Sequence, residues 1–199
     1  MITKTQEQIL MWLLQNPEEK ETIRGISRKL GKSYTLIYNN ILGLEKKELI
    51  KKQAVPPAQI ITFNEHAPLD TFVDIELKIK DNFLQKNLWA KLMLKDIFKE
   101  MDSPFFILMV FGSYAKGTQN EKSDLDLLIV VNEKKEIKEV EKDMQNVYTK
   151  IKKSINVVDI DNFREMINNP GKLNIGNEAK KNHIILYGAE EYYQITKNL

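Results

Sequence analysis

The chain contains no cysteine, so disulfides and thiolate metal sites are excluded and a reducing compartment is permitted. Histidine is almost as scarce. His66 and His183 are the only two, far apart and without partner spacing, which leaves a zinc site without ligands. A dominant charge is missing as well: 30 Lys and Arg stand against 28 Asp and Glu, a formal net charge of +2, so any basic footprint for a nucleic acid must be local. No apolar run approaches membrane-spanning length. The opening residues Met1-Ile2-Thr3-Lys4 lack the basic-then-apolar layout of a secretory signal, and the expectation is a cytoplasmic protein with no membrane partner. There is no internal repeat and no low-complexity tract. What remains is a chain of 199 residues, 42% hydrophobic and 29% charged, within the globular range and long enough for one ordinary domain plus a small one.

One stretch is hard to explain by folding alone. Phe105 to Phe111 is almost wholly apolar, which suits a strand buried on both faces. It ends at Gly112-Ser113, where a residue without Cβ lets a phosphate approach the backbone and a serine supplies a hydroxyl. A second apolar run, Leu125 to Val131, is entered through Asp124 and Asp126, and residues two apart on a strand face the same side. Two carboxylates converging on one point repel each other unless a cation lies between them, and a hard ion such as Mg²⁺ suits an oxygen-only site. An Asp-x-Asp alone reads as the solvated end of a strand. Its combination with the Gly-Ser turn and two buried runs points to a metal-bound phosphate. Rival phosphate and calcium motifs fail: Gly112 to Gly117 is followed by Thr118 where a P-loop needs lysine, and an EF-hand loop would need a polar ligand at Leu128.

Gly112-Ser113, the spacer from Tyr114 to Ser123, and Asp124-Leu125-Asp126 together resemble the signature of the nucleotidyltransferase superfamily that includes DNA polymerase β, especially its minimal-nucleotidyltransferase branch. The likeness covers roughly Phe105 to Tyr187, and Leu186-Tyr187-Gly188 resembles an ending common in that branch. The resemblance implies that Asp124 and Asp126 hold Mg²⁺ and that Gly112 and Ser113 seat the triphosphate of an NTP, ATP first among them. A hydroxyl then attacks the α-phosphorus as pyrophosphate leaves. Lys116 either neutralises a phosphate or is a solvated loop lysine. The acceptor implied is a protein hydroxyl, as in antitoxins of this branch that modify a toxin, or a small molecule, as in aminoglycoside-modifying relatives. Active members also carry a third carboxylate on the strand after the covering helix, and by pattern its position here is Asn156, a neutral amide. Asp159 is the only carboxylate within the strand predicted over 155–160. It is the remaining candidate for a third catalytic carboxylate, although three residues on from Asn156 it should face the other way unless a bulge intervenes.

The residues before this region read differently. Two short helices with Ile9, Leu10, Leu13, then Ile23 and Ile26, precede a third that Ser33 caps, in which Tyr34, Ile37, Ile41 and Leu44 share a face. Two short strands follow around Pro56-Pro57. This order resembles a winged helix-turn-helix DNA-binding domain, which implies base contacts from Thr35, Tyr38 and Asn39 on the third helix and phosphate contacts from Lys51 and Lys52 on the wing. Leu69 to Met101 carries two apolar stripes, one through Phe72, Ile75, Ile79, Phe83, Ala90, Met93 and Ile97, the other through Leu77, Leu84, Leu88 and Leu92. Two stripes predict a helix or helix pair, breaking near Asp81-Asn82, covered on both sides as a bridge or a homodimer contact.

The expected architecture is therefore α+β or α/β: a winged helix over 1–66, a bridging helical segment over 67–103, and a nucleotidyltransferase-type mixed sheet covered by helices over 104–199. The expected function is Mg²⁺-dependent transfer of NMP from an NTP to a hydroxyl, with a DNA-binding module in front. The alternative is a winged-helix transcriptional regulator whose second domain senses a nucleotide or has weakened catalysis.

Overall fold

A computed structural model describes residues 2–101, 103 and 105–197. Its contacts divide the chain into two units, Met1–Ile75 and Glu76–Leu199.

In the first unit α1 (Lys4–Gln15) starts at Thr3, whose hydroxyl accepts from Gln6 N while the Gln6 side chain accepts from Thr3 N, a reciprocal cap. Its buried face is Ile9, Leu10 and Leu13. A two-residue strand β1 (Glu21–Thr22) leads into α2 (Ile23–Lys29), capped by Thr22, and Ser33 caps α3 (Tyr34–Lys46), its hydroxyl accepting from Leu36 N. β2 (Ile50–Val55) and β3 (Ala58–Phe63) form an antiparallel hairpin, and β1 adds to β3, so the sheet order is β1-β3-β2. Apolar period alone could not reveal β1, since two residues define no alternation. Tyr34 departs from the expected inward face: it is half exposed at the first turn of α3 and stacks on Tyr38, one turn later, with ring centroids 6.1 Å apart.

The division between units falls within α4 (Leu69–Lys86), which α5 (Leu88–Glu100) follows. The break lies at Asn87, not near Asp81-Asn82, and the Asn87 side chain closes α4 by donating to Phe83 O at 2.9 Å. The first apolar stripe is buried along its length; of the second, Leu84 is buried but Leu77, Leu88 and Leu92 are exposed, so the described residues cover only one of the two stripes.

Beyond α5 the chain builds β4 (Phe106–Phe111), the one-turn α6 (Gly112–Lys116), β5 (Leu125–Val131), α7 (Ile137–Asn146), β6 (Lys153–Asp159), α8 (Ile160–Ile167), α9 (Ile175–Lys181), β7 (His183–Tyr187) and α10 (Ala189–Thr196). The strands form one mixed sheet, β6-β5-β4-β7, in which β5 and β6 are parallel and the other pairs antiparallel. Parallel neighbours need a crossover, and α7 supplies it. Every residue of β4 is buried, and so is all of β5 except Asp126, as continuous apolar runs require. α7 stops at Asn146, and Lys153, which opens β6, donates its ammonium back to the carbonyls of Met144 and Val147 at the end of the helix. Among the described residues no helix is long and apolar enough to cross a membrane.

Candidate active site

The carboxylates sit where the β4–β5 pair opens into α6. Asp126 is paired across the ladder with Phe111, the last residue of β4, so the next residue, Gly112, lies directly over it. Gly112 has φ +68, a left-handed conformation that disfavours side chains, and a Cβ built there would run into Asp126 Oδ2. Conformation and close approach thus both require glycine. Asp126 is half-buried, and its carboxyl is pushed above the usual range by burial first, then by the negative charges of Asp124 and Glu178. Asp124, immediately before β5, accepts from Lys152 Nζ at 2.7 Å. The half-buried Ser113 hydroxyl has no hydrogen-bond partner among the described residues, and Lys116 is exposed at the end of α6 with no ion-pair partner among them.

The parallel register decides the rest of the set. Asp126 is level with Ser154 and Leu128 with Asn156, so Asn156 shares the face of Asp126 one same-face step further along β6. Its amide donates a long 3.4 Å bond to Leu127 O. Asp159 is level with Val131, five positions further along, which is ~16 Å away at ~3.3 Å per residue and on the opposite face. It also has another task as N-cap of α8, accepting from Asn162 N at 2.9 Å and from the Asn162 amide at 2.5 Å. Burial alone would raise its pKa, but these bonds outweigh burial and hold the carboxylate below its usual range. The expectation that Asp159 completes the carboxylate set is therefore corrected: strand parity and capping remove it from the site.

Two charged groups at the site escaped the sequence. Lys152 becomes a neighbour of Asp124 only once the β5–β6 register is known, and Glu178, exposed on α9, reaches the site only through folding of α9 beside β4. Among the described residues no group of three or more His, Cys, Asp or Glu could hold a metal ion. Two carboxylates nevertheless suit Mg²⁺, which takes one or two protein carboxylates and completes its octahedron with phosphate oxygens and water. Asp126 has no cationic partner among the described residues and the Asp124 pair with Lys152 is exposed, so the residues present fit one such ion shared with a phosphate.

On the other side of β4, His183 is level with Phe111 and heads a buried polar group. Its Nδ1 lies 2.7 Å from Ala179 O and its Nε2 3.3 Å from Glu76 Oε1, so both nitrogens face oxygen acceptors, a setting that favours the doubly protonated ring. Burial would lower the imidazole's pKa, but Glu76 and the Ala179 carbonyl outweigh it and raise it. Tyr193 donates to the same Glu76 oxygen at 2.8 Å, while Glu76 Oε2 is buried with no partner among the described residues. This group fixes β7, α9 and α10 around the strand end that carries the carboxylates.

In the first unit, Thr35, Tyr38 and Asn39 are exposed together on α3. The two lysines of the β2–β3 hairpin are already paired: Lys51 with Glu65 at 2.7 Å and Lys52 with Glu45 at 2.5 Å. Arg24, Arg28 and Lys29 line a cleft with Glu21 and Thr22, and Lys29 pairs with Glu19 at 2.9 Å.

Residues 93–188 match the family described as "Polymerase beta, Nucleotidyltransferase". That segment covers α6, both carboxylates, Lys152 and β7. No curated protein and no solved structure matches the chain.

Proposed function

We propose that the chain is a Mg²⁺-dependent nucleotidyltransferase that moves NMP from an NTP, ATP first among them, to a hydroxyl of a protein such as a toxin or of a small molecule. The observation that carries this reading is the juxtaposition of Gly112 with Asp126 at the open end of β4, with Asp124 beside it, inside a segment similar to polymerase β nucleotidyltransferases. Asp124 and Asp126 would hold Mg²⁺, which when bound neutralises phosphate charge and favours departure of pyrophosphate. Gly112 leaves room for a phosphate, Ser113 offers an unpaired hydroxyl to it, and Lys116 offers an exposed ammonium. The acceptor oxygen forms a bond to the α-phosphorus, the bond from that phosphorus to the bridging oxygen breaks, and the acceptor proton goes to solvent. The site offers no carboxylate base at Asn156, so transfer is slow.

The front unit, by this proposal, is a winged helix that binds DNA. Its order α1-β1-α2-α3-β2-β3 and the exposed Thr35, Tyr38 and Asn39 support that reading. Lys51 and Lys52 would have to leave Glu65 and Glu45 to reach phosphates. The paired lysines and the amide at Asn156 together favour a second reading, a regulator that binds nucleotide without turning it over. Incubation with each of four labelled NTPs and Mg²⁺, with and without co-purifying proteins, separates the two. Transfer of label to any acceptor supports the enzyme; nucleotide binding without transfer, with sequence-selective DNA binding, supports the regulator.

A further inference from the structure

Asp124 has a cationic neighbour that a two-carboxylate metal site does not call for. Leu125 N donates to Lys152 O at 2.8 Å, and Leu125 is level with Lys153, so the residues just before the two strands, Asp124 and Lys152, stand side by side on one face. The two adjacent lysines then part company. Lys153 turns through the other face to the carbonyls of Met144 and Val147, whereas Lys152 reaches Asp124 Oδ2 at 2.7 Å with its side chain 81% exposed. An ion pair this exposed is weak and readily exchanged. Its stem is not locked, and its ammonium is a point charge with three donors that can turn from one oxygen anion to another.

The charge around the site gives that mobility a use. Asp124, Asp126 and Glu178, gathered at one strand end, would all repel an incoming triphosphate. Asp124 and Asp126 would hold a divalent cation in competition with Lys152, and an ammonium displaced from Asp124 Oδ2 would be close enough to a phosphate bound there to pair with it. We infer that Lys152 is a phosphate-binding residue of this site: it holds Asp124 when no nucleotide is bound and passes to a phosphate oxygen of the incoming metal–triphosphate. This rests on the nucleotide-site reading above and adds to it a residue that binds the triphosphate's phosphates by exchanging one anion for another.

The test uses the full chain and two probes, Mn²⁺ alone, followed by the resonance of the free ion, and Mg·ATP, followed by displacement of a fluorescent ATP analogue. Lys152→Met keeps the stem and removes the charge. It should bind Mn²⁺ about fivefold more tightly, because a competing cation is gone, and Mg·ATP about tenfold more weakly, because a phosphate partner is gone. Opposite signs are the signature, since a lysine serving only the fold would move both affinities together or neither. Both unchanged, or both shifted the same way, overturns the role of Lys152; if Asp126→Asn still abolishes Mg·ATP binding in that case, the nucleotide site itself stands. A wild-type chain that binds neither Mn²⁺ nor Mg·ATP overturns both.

Discussion

Gly112 and Gly117 provide an internal control for what the close approach at the site is worth. Both have φ +68, so alanine at either meets the same backbone strain, about 1–2 kcal/mol. Their surroundings differ: a Cβ at Gly117 meets nothing within 4 Å, whereas one at Gly112 collides with the Asp126 carboxylate. Gly117→Ala should therefore cost stability alone, a fall in Tm of about 3–6 °C for a chain of this size. Gly112→Ala should cost the same strain plus about 1 kcal/mol for driving Asp126 off its rotamer, and the displaced carboxylate should weaken Mg·ATP binding at least about tenfold. The double variant Gly112→Ala with Asp126→Ala removes the collision, so its loss of stability should be smaller than the sum of the single losses by about the same 1 kcal/mol. Thermal melts and Mg·ATP titrations on the wild type and four variants, Asp126→Ala alone among them, are sufficient. Equal losses of stability and of nucleotide affinity in the two alanine variants would show that Asp126 does not depend on the space Gly112 leaves.

Asp126→Asn should raise Tm in metal-free buffer by about 1–3 °C, because the raised pKa makes the ionised carboxylate a cost at neutral pH. The wild type should close that gap as pH falls until the carboxyl is protonated in both folded and unfolded chains, and a gap independent of pH would contradict this. Asp159→Ala should lose about 1 kcal/mol of cap stability while leaving Mg·ATP binding intact. Its folded pKa is lowered, so the contribution exists above the ordinary carboxylate range and disappears in acid; loss of nucleotide binding would return Asp159 to the site. Glu76→Gln should destabilise its unit by about 3 kcal/mol by leaving a buried imidazolium unpaired. The folded His183 pKa is raised, so the wild-type contribution is complete below the free imidazole's value near 6.5 and declines as pH climbs through the higher one; melts from pH 6 to 9 should show that decline in the wild type only.

What the sequence reveals here is whatever local chemistry determines. The two uninterrupted apolar runs suit buried strands, and the Gly-Ser turn with the Asp-x-Asp marks where the site lies, but the approach of Gly112 to Asp126 depends on the β4–β5 register. Ser33 announced α3 because a hydroxyl before an apolar period has one common use. Asp159 was misplaced for a related reason: it ends an apolar run as a ligand would, but it stands three residues before Asn162 and caps the helix that begins at Ile160. Lys152 beside Asp124 and Glu76 beside His183 were hidden because each depends on a register or a packing between segments distant in sequence. The exposed Leu88 and Leu92 were read as covered because periodicity reports an apolar face, not what lies against it.

β4 is bordered by β5, which follows it after α6 and a loop, and by β7, which comes much later in the chain. During synthesis the β4–β5 hairpin can form first, leaving the other rim of Phe106–Phe111 uncovered until Tyr187 has been made, a delay of ~3–10 s at ~5–20 residues per second. That rim is six apolar residues with no charge and no proline, the composition that recruits foreign strands. A ribosome stalled or a gene cut short before β7 would consequently yield an aggregation-prone chain, and any shielding during that interval must come from outside the chain.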